Sequence, residues 1–205
     1  YEHARTADAK NPDDMELGMS LLRKLHGAAL HVDHFFDLKE KIQFYESLCL
    51  SHGGIPFEDY AEVRQWMERL LAELQRKNRP QTLCHIDPVV DNILILEDGS
   101  LKLIDWEYSG MADPILDIAM CAVYSYYSFD EGLQLLEIYL ERKPTDEEAF
   151  ILIASMALSG FLWSLWAIYK SNLGEEFGEY TITMYRYGKQ GYSRLRPVLY
   201  LLERA

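Results

Sequence analysis

The sequence is short of positive charge and of cysteine, and it contains no glycine-rich phosphate loop. Twenty Lys and Arg stand against 33 Asp and Glu, for a net charge of −13. Such a chain has no general affinity for nucleic acid or for an anionic membrane, and suits cationic or metal-bound ligands better. A surplus of carboxylates that only keeps the surface soluble fits the same charge. The three cysteines, Cys49, Cys84 and Cys121, show no CxxC spacing and have apolar neighbours. They are expected as reduced core thiols in a cytoplasmic protein. The twelve glycines include neither GxGxxG nor a P-loop. The opening YEHARTADAKNPDD is polar and does not read as a signal peptide, and residues 1–12 are expected as a disordered leader.

One segment imitates a membrane span. Residues 149–169, AFILIASMALSGFLWSLWAIY, run 21 residues without a charge, about the length a bilayer core requires. Thr145 and Glu148 form a capping box at its start, and no basic cluster sits outside either end, so a buried central helix is expected in its place. Apolar residues at helical spacing mark three earlier helices: Asp13 to Ala29, Leu38 to Leu50 and Glu58 to Arg76. The first 78 residues therefore read as helical, and Pro80 ends that run. QTLCHID reads as a short strand, and NILILEDGSLKLID as a hairpin turning at Asp98-Gly99. Helices follow over about Ile115–Tyr127, Asp130–Arg142 and Asp146–Lys170, with a tyrosine-rich stretch from Glu175 onward. The expected fold is mainly α with a small embedded β-hairpin, one lobe over 1–205.

The chemistry concentrates at the two ends of that hairpin. CHIDPVVDNIL places His85, Asp87 and Asn92 before the first run, and LIDWEYSG places Asp105 after the second. Taken singly each is ordinary: an Asp before Pro88 is a turn residue, Asn92 before a strand is a cap, and His85 is a packed histidine without a second ligand at metal spacing. Together, hard oxygen donors converging on one point suit Mg²⁺, which takes one or two carboxylates, a carbonyl oxygen and substrate phosphates. A further carboxylate outside the metal shell could accept a proton from a hydroxyl.

His-x-Asp, four residues, Asn, a hairpin and then Ile-Asp-aromatic resembles the catalytic loop of protein kinases. With Trp106-Glu107 in place of Phe-Gly, and DPILDIA downstream, it is more similar to the choline/ethanolamine kinase and aminoglycoside phosphotransferase superfamily, and most similar to LicA-type choline kinases. The resemblance covers the chain from about Met15. It implies a kinase-like C-terminal lobe that transfers the ATP γ-phosphoryl group to choline. Asp87 would be the base, Asn92 and Asp105 the magnesium ligands, and Glu107 a support for a second metal or its waters. His85 would structure the loop and Asp117 brace it from DPILDIA. Asp91, where relatives often carry glycine, is a departure.

Residues also speak to substrate. A quaternary ammonium donates no conventional hydrogen bond and is held by aromatic faces and nearby negative charge. Trp163 and Trp166 share a helical face; they are either plain core or part of a cage with Tyr108, Tyr124, Phe177, Tyr180 and Tyr185. WSLW followed by EEFGEY resembles the choline-kinase pattern, whereas an aminoglycoside site should be walled by carboxylates. Ethanolamine or aminoglycoside phosphotransfer, and a non-catalytic choline- or partner-binding module, are the alternatives. A kinase also needs a glycine-rich roof and a phosphate-pairing lysine, neither of which is visible here. The N-terminal nucleotide lobe is therefore expected to be missing from these 205 residues, phosphate transfer by them alone to be poor, and self-association through the uncovered face to follow.

Overall fold

The computed structural model describes residues 4–202. The single lobe expected over 1–205 is organised as two compact units, one made of the first 36 residues with 79–152, the other of 37–78 with 153–205.

Among the described residues, the strands all lie in the first unit. β1 (Ala4–Thr6), β3 (Ile93–Leu96) and β4 (Leu101–Leu103) form an antiparallel sheet in the order β1-β3-β4, with Ala4 opposite Leu96 and Ile93 opposite Leu103. β2 (Thr82–Cys84) and β5 (Gly110–Ala112) form a second antiparallel pair. The embedded hairpin is β3–β4, and the expected turn is present: Leu96 N donates to Ser100 O at 2.9 Å, and Gly99 takes φ 77°, a conformation glycine adopts at little cost.

Residues 4–12 correct the expected disordered leader and the all-helical opening. Arg5 grips Asp14 with two bonds of 2.5 and 2.7 Å, Ala7 N donates to Ile93 O, and Asn11 caps the next helix through Asp13 N. Residues 1–3 lie outside the described residues. That helix, α1 (Pro12–Gly27), buries Met15, Met19 and Leu22 and stops two residues before Ala29, whose φ is 51°. β5 escaped the sequence reading because it is only three residues long, Gly110-Met111-Ala112, too short to show a strand period. A Cβ at Gly110 would lie 3.0 Å from Phe36 N and His34 Cδ2, so only glycine lets the 34–36 segment approach.

α4 (Pro114–Tyr124) is capped by Asp113 and buries nine of its eleven residues; α5 (Phe129–Leu140) carries a Ser128–Glu131 capping box. Before α6 (Asp146–Asn172), Thr145 and Glu148 form the predicted box, and Arg142 clamps Glu148 at 2.8 and 2.9 Å. That guanidinium holds the Glu148 carboxyl down at about 2. α6 is long and apolar enough to cross a membrane, yet 94% of its apolar window is buried inside the protein, as expected of a core helix.

In the second unit α2 (Leu38–Ser51), α3 (Tyr60–Lys77) and α7 (Tyr180–Leu202) pack with the later part of α6. α3 buries Val63, Met67, Leu70 and Leu71 on one face, and α7 answers with Met184, Gly188, Tyr192 and Leu195. Gly160 lets α6 approach α7 so closely that an added Cβ would sit 2.7 Å from Met184 O.

Candidate functional site

The site is built on loops held by buried hydrogen bonds. Asp117, on α4 and fully buried, accepts His85 N at 2.8 Å and Ile86 N at 2.7 Å, and His26 Nε2 at 3.0 Å. Ile86 sits at φ 73°, a left-handed conformation that costs a β-branched residue on the order of 1–3 kcal/mol. The Asp117 carboxylate holds that strain one residue before Asp87.

A second clamp is the backbone of Ile104. Its N–H donates to Asn92 O at 3.0 Å, and its carbonyl accepts His85 Nε2–H at 2.8 Å. His85 and Asn92, both before β3, are thereby tied to one residue after β4, immediately before Asp105. Asp105 itself takes φ 63°, which an aspartate tolerates better than most. Burial pushes the His85 imidazole below its ordinary range; Nε2 donates to the Ile104 carbonyl, and Nδ1 has no hydrogen-bond partner among the described residues. The Trp106 ring meets it edge-on at 4.7 Å. His85 is therefore part of the loop framework.

Asn92 Nδ2 donates to Asp87 O at 2.9 Å and to Asp87 Oδ2 at 3.2 Å. Burial, then the charge of Asp105, push the Asp87 carboxyl up to about 6; Glu107 adds to this, while Asn92 and Tyr124 oppose it. Among the described residues, Asp87 Oδ1 is buried without a hydrogen bond. Asp87 thus holds the Asn92 amide and feels the charges of Asp105 and Glu107 and the hydroxyl of Tyr124. A buried carboxylate pressed by the charges of two others, with one oxygen unpartnered among the described residues, is a condition a hard divalent cation relieves, and carboxylate and amide oxygens are donors of the type magnesium takes.

Another group has ligand spacing: one donor atom each from His26, Cys84 and Asp117 lies within 4.8 Å of the others. Both Asp117 oxygens already accept hydrogen bonds, and burial and the Asp117 charge push the Cys84 thiol far up. A protonated thiol beside an engaged carboxylate is packing, not ligation.

The aromatic candidates divide. Tyr108 and Tyr124 lie half-buried in the first unit. In the second, Trp163, Trp166, Phe177 and Tyr180 form a chain of rings at 6.2, 5.2 and 6.1 Å. Trp163 is buried, while Trp166, Phe177 and Tyr180 keep partial access to solvent. Tyr185 stands outside this chain: it is 2% exposed, stacks on Phe57 at 3.8 Å and donates its hydroxyl to Asp59 at 2.9 Å. Sequence reasoning missed Ile86, Ile104 and His26. Only His26 left a signal, as a polar residue closing the α1 stripe; the other two act through backbone atoms.

Residues 3–150 match the phosphotransferase enzyme family. Protein LicA of Haemophilus influenzae is 30% identical over 172 residues, an alignment covering 78% of this chain and 62% of that protein. The crystal structure of choline kinase LicA from Streptococcus pneumoniae superposes with a TM-score of 0.80 at 31% identity, covering 94% of this chain and 68% of the other. A LicA complex with AMP gives 0.81 at the same identity, covering 94% and 67%. The chain thus spans less than two thirds of the Haemophilus relative. With a strained, carboxylate-braced loop carrying His-x-Asp and Asn, and a hairpin that returns Asp105 to it, the chain belongs to the phosphotransferase enzyme family.

Proposed function

We propose that the chain is the catalytic and substrate-binding lobe of a kinase that transfers the γ-phosphoryl group of ATP to the hydroxyl of choline. The observation that carries this reading is the opposition of Asp87 by Asp105 and Glu107 around the Asn92 amide. Asp87 is the base: a carboxyl near 6 is largely ionised at neutral pH yet basic enough to take the hydroxyl proton. Asn92 and Asp105 hold magnesium, with Glu107 supporting a second ion or its waters. When bound, magnesium neutralises charge on the nucleotide phosphates. Asp117 and His85 keep Asp87 aimed by fixing Ile86 and Ile104.

The AMP complex of LicA supports nucleotide as the phosphoryl donor, and the coverage of relatives supports a nucleotide-covering lobe outside these residues. The accessible rings of Trp166, Phe177 and Tyr180 suit a trimethylammonium group, each contact contributing about 0.5–2 kcal/mol; Trp163 backs them, and Tyr108 and Tyr124 line the catalytic side. Tyr185, committed to Phe57 and Asp59, supports α7 and leaves the cage. Ethanolamine is the second reading, favoured by Glu175, Glu176 and Glu179 flanking Phe177, which can accept its N–H groups. Three buried, unpaired cysteines fit a reducing compartment.

Calorimetric titration with choline and with ethanolamine tests the substrate. Choline affinity should fall about tenfold in Trp166→Ala, in line with the loss of one strong cation–π contact, and stay within about twofold in Tyr185→Phe. Tighter binding of ethanolamine, or choline binding indifferent to Trp166, would remove the choline assignment.

A further inference from the structure

The hydrogen bonds that hold the loop before Asp87 continue beyond Asp117. That carboxylate accepts three: Oδ1 takes Ile86 N, and Oδ2 takes both His85 N and His26 Nε2. His26 Nδ1 in turn meets Tyr139 Oη at 2.8 Å, with the two rings edge-on at 5.6 Å. Tyr139 lies in the last turn of α5 and is buried. Burial pushes its phenol up to about 12, so the hydroxyl keeps its hydrogen and can donate it to Nδ1.

Both residues of this outer pair are tied down. The His26 carbonyl accepts Thr82 Oγ1 at 3.1 Å, on the strand that leads into His85. Arg23 of α1 donates Nη1 to the carbonyls of Tyr139 at 2.9 Å and Ile138 at 3.1 Å, satisfying groups that a helix C-terminus leaves open. The direction of control follows from the torsions. The χ2 of an aspartate is broad, so two loop N–H groups cannot both fix the carboxylate and be fixed by it. An anchor outside the loop is required, and His26 Nε2–H is the donor to Asp117 that lies outside it. A histidine ring has the same freedom about its own χ2, which the Tyr139 hydroxyl removes. Ile86 at φ 73° is the kind of strained backbone that persists where its surroundings over-determine it.

We propose that Tyr139 is a positioning residue: its hydroxyl orients the His26 ring, which orients the Asp117 carboxylate, which holds Ile86 in the left-handed conformation next to Asp87. Tyr139 acts from α5, through two side chains, on the backbone that aims the proposed base. The inference rests on the phosphotransfer reading for the role of Asp87 alone. The brace itself is measured without nucleotide, choline or magnesium, so either can fail without the other.

The test is amide hydrogen exchange of the 205-residue chain, followed by NMR, with the rates at His85 and Ile86 taken relative to those of α4 so that a general loss of stability cancels. Tyr139→Phe keeps the edge-on ring and removes only the hydroxyl. It should speed exchange at His85 and Ile86 about tenfold, the population shift that one lost hydrogen bond produces. In a His26→Ala background the same replacement should add less than about twofold, because its route to the loop is already cut. His26→Gln, whose amide N–H can stand in for Nε2–H, should recover most of the protection lost in His26→Ala. Unchanged relative rates in Tyr139→Phe, an effect that persists undiminished in the His26→Ala background, or a glutamine no better than alanine would each overturn the assignment.

Discussion

Replacing Asp87 by Asn should make the metal-free chain more stable at neutral pH while removing the proposed base. The Asp87 carboxyl stands at about 6 in the folded chain against an ordinary 3.8, from burial first and the Asp105 charge second. In the unfolded chain it ionises normally, so between about pH 4 and pH 6 the folded state binds the extra proton. The unfolding free energy therefore falls as pH rises through that window and is flat above it. At about 1.36 kcal/mol for each tenfold change in acidity, the elevation corresponds to about 3 kcal/mol; allowing for the partial solvent access of Asp87, about 1–2 kcal/mol is expected. Asparagine keeps an acceptor for Asn92 Nδ2 and carries no charge at any pH, so its curve lacks the step. Urea denaturation in EDTA at pH 4, 5, 6 and 7 measures the difference between the two proteins, in which the other carboxylates cancel. The curves should coincide near pH 4 and separate by about 1–2 kcal/mol at pH 7, the variant being the more stable. Saturating magnesium should narrow the gap, because it offsets the Asp105 and Glu107 charges that oppose ionisation. A wild-type chain equal to or more stable than the variant at pH 7 would show that Asp87 is not under the repulsion the geometry implies.

Asp117→Ala should destabilise the first unit by about 3–5 kcal/mol, since it strands the buried N–H groups of His85 and Ile86 together with the His26 ring at roughly 1–3 kcal/mol per group; chemical denaturation reads this directly, and a loss below about 1 kcal/mol would mean the carboxylate is not the brace of the loop. Two glycines of the second unit should respond in opposite directions. Gly160→Ala drives a Cβ into Tyr187 Cβ and to 2.7 Å from Met184 O, whereas at Gly188 the nearest atom is 3.4 Å away. The first should cost about 1–3 kcal/mol by overpacking, and the second should be neutral or stabilise by up to about 1 kcal/mol through helix propensity, as thermal melts of both variants will report.

What the sequence disclosed and what it withheld follow from the range of each interaction. The helices were legible because burial repeats along the chain: the α1 stripe Met15, Met19, Leu22 and the uncharged run of α6 declare themselves in any window of their own residues. Asp98-Gly99 announced its turn for the same reason. β1 and β5 were not legible, because three residues such as Ala4–Thr6 or Gly110–Ala112 carry no periodicity and are strands only by virtue of partners about 90 and 30 residues away. The site divides along the same line. Asp87, Asn92 and Asp105 were readable as types at a spacing, yet nothing local says that Asp105 presses on Asp87, a relation created by the β3–β4 register and by the Ile104 backbone, whose N–H and carbonyl hold Asn92 and His85. Ile86 is the plainest case: an isoleucine between His85 and Asp87 reads as an ordinary buried residue, and its left-handed backbone is held by a carboxylate 31 positions onward that accepts its N–H. A β-branched residue would not otherwise stay there. The strain at Ile86 and the repulsion at Asp87 both oppose folding, and both belong to the geometry that the proposed phosphoryl transfer requires. The stability of α4 and its Asp117 is thus part of the site even though no substrate touches it.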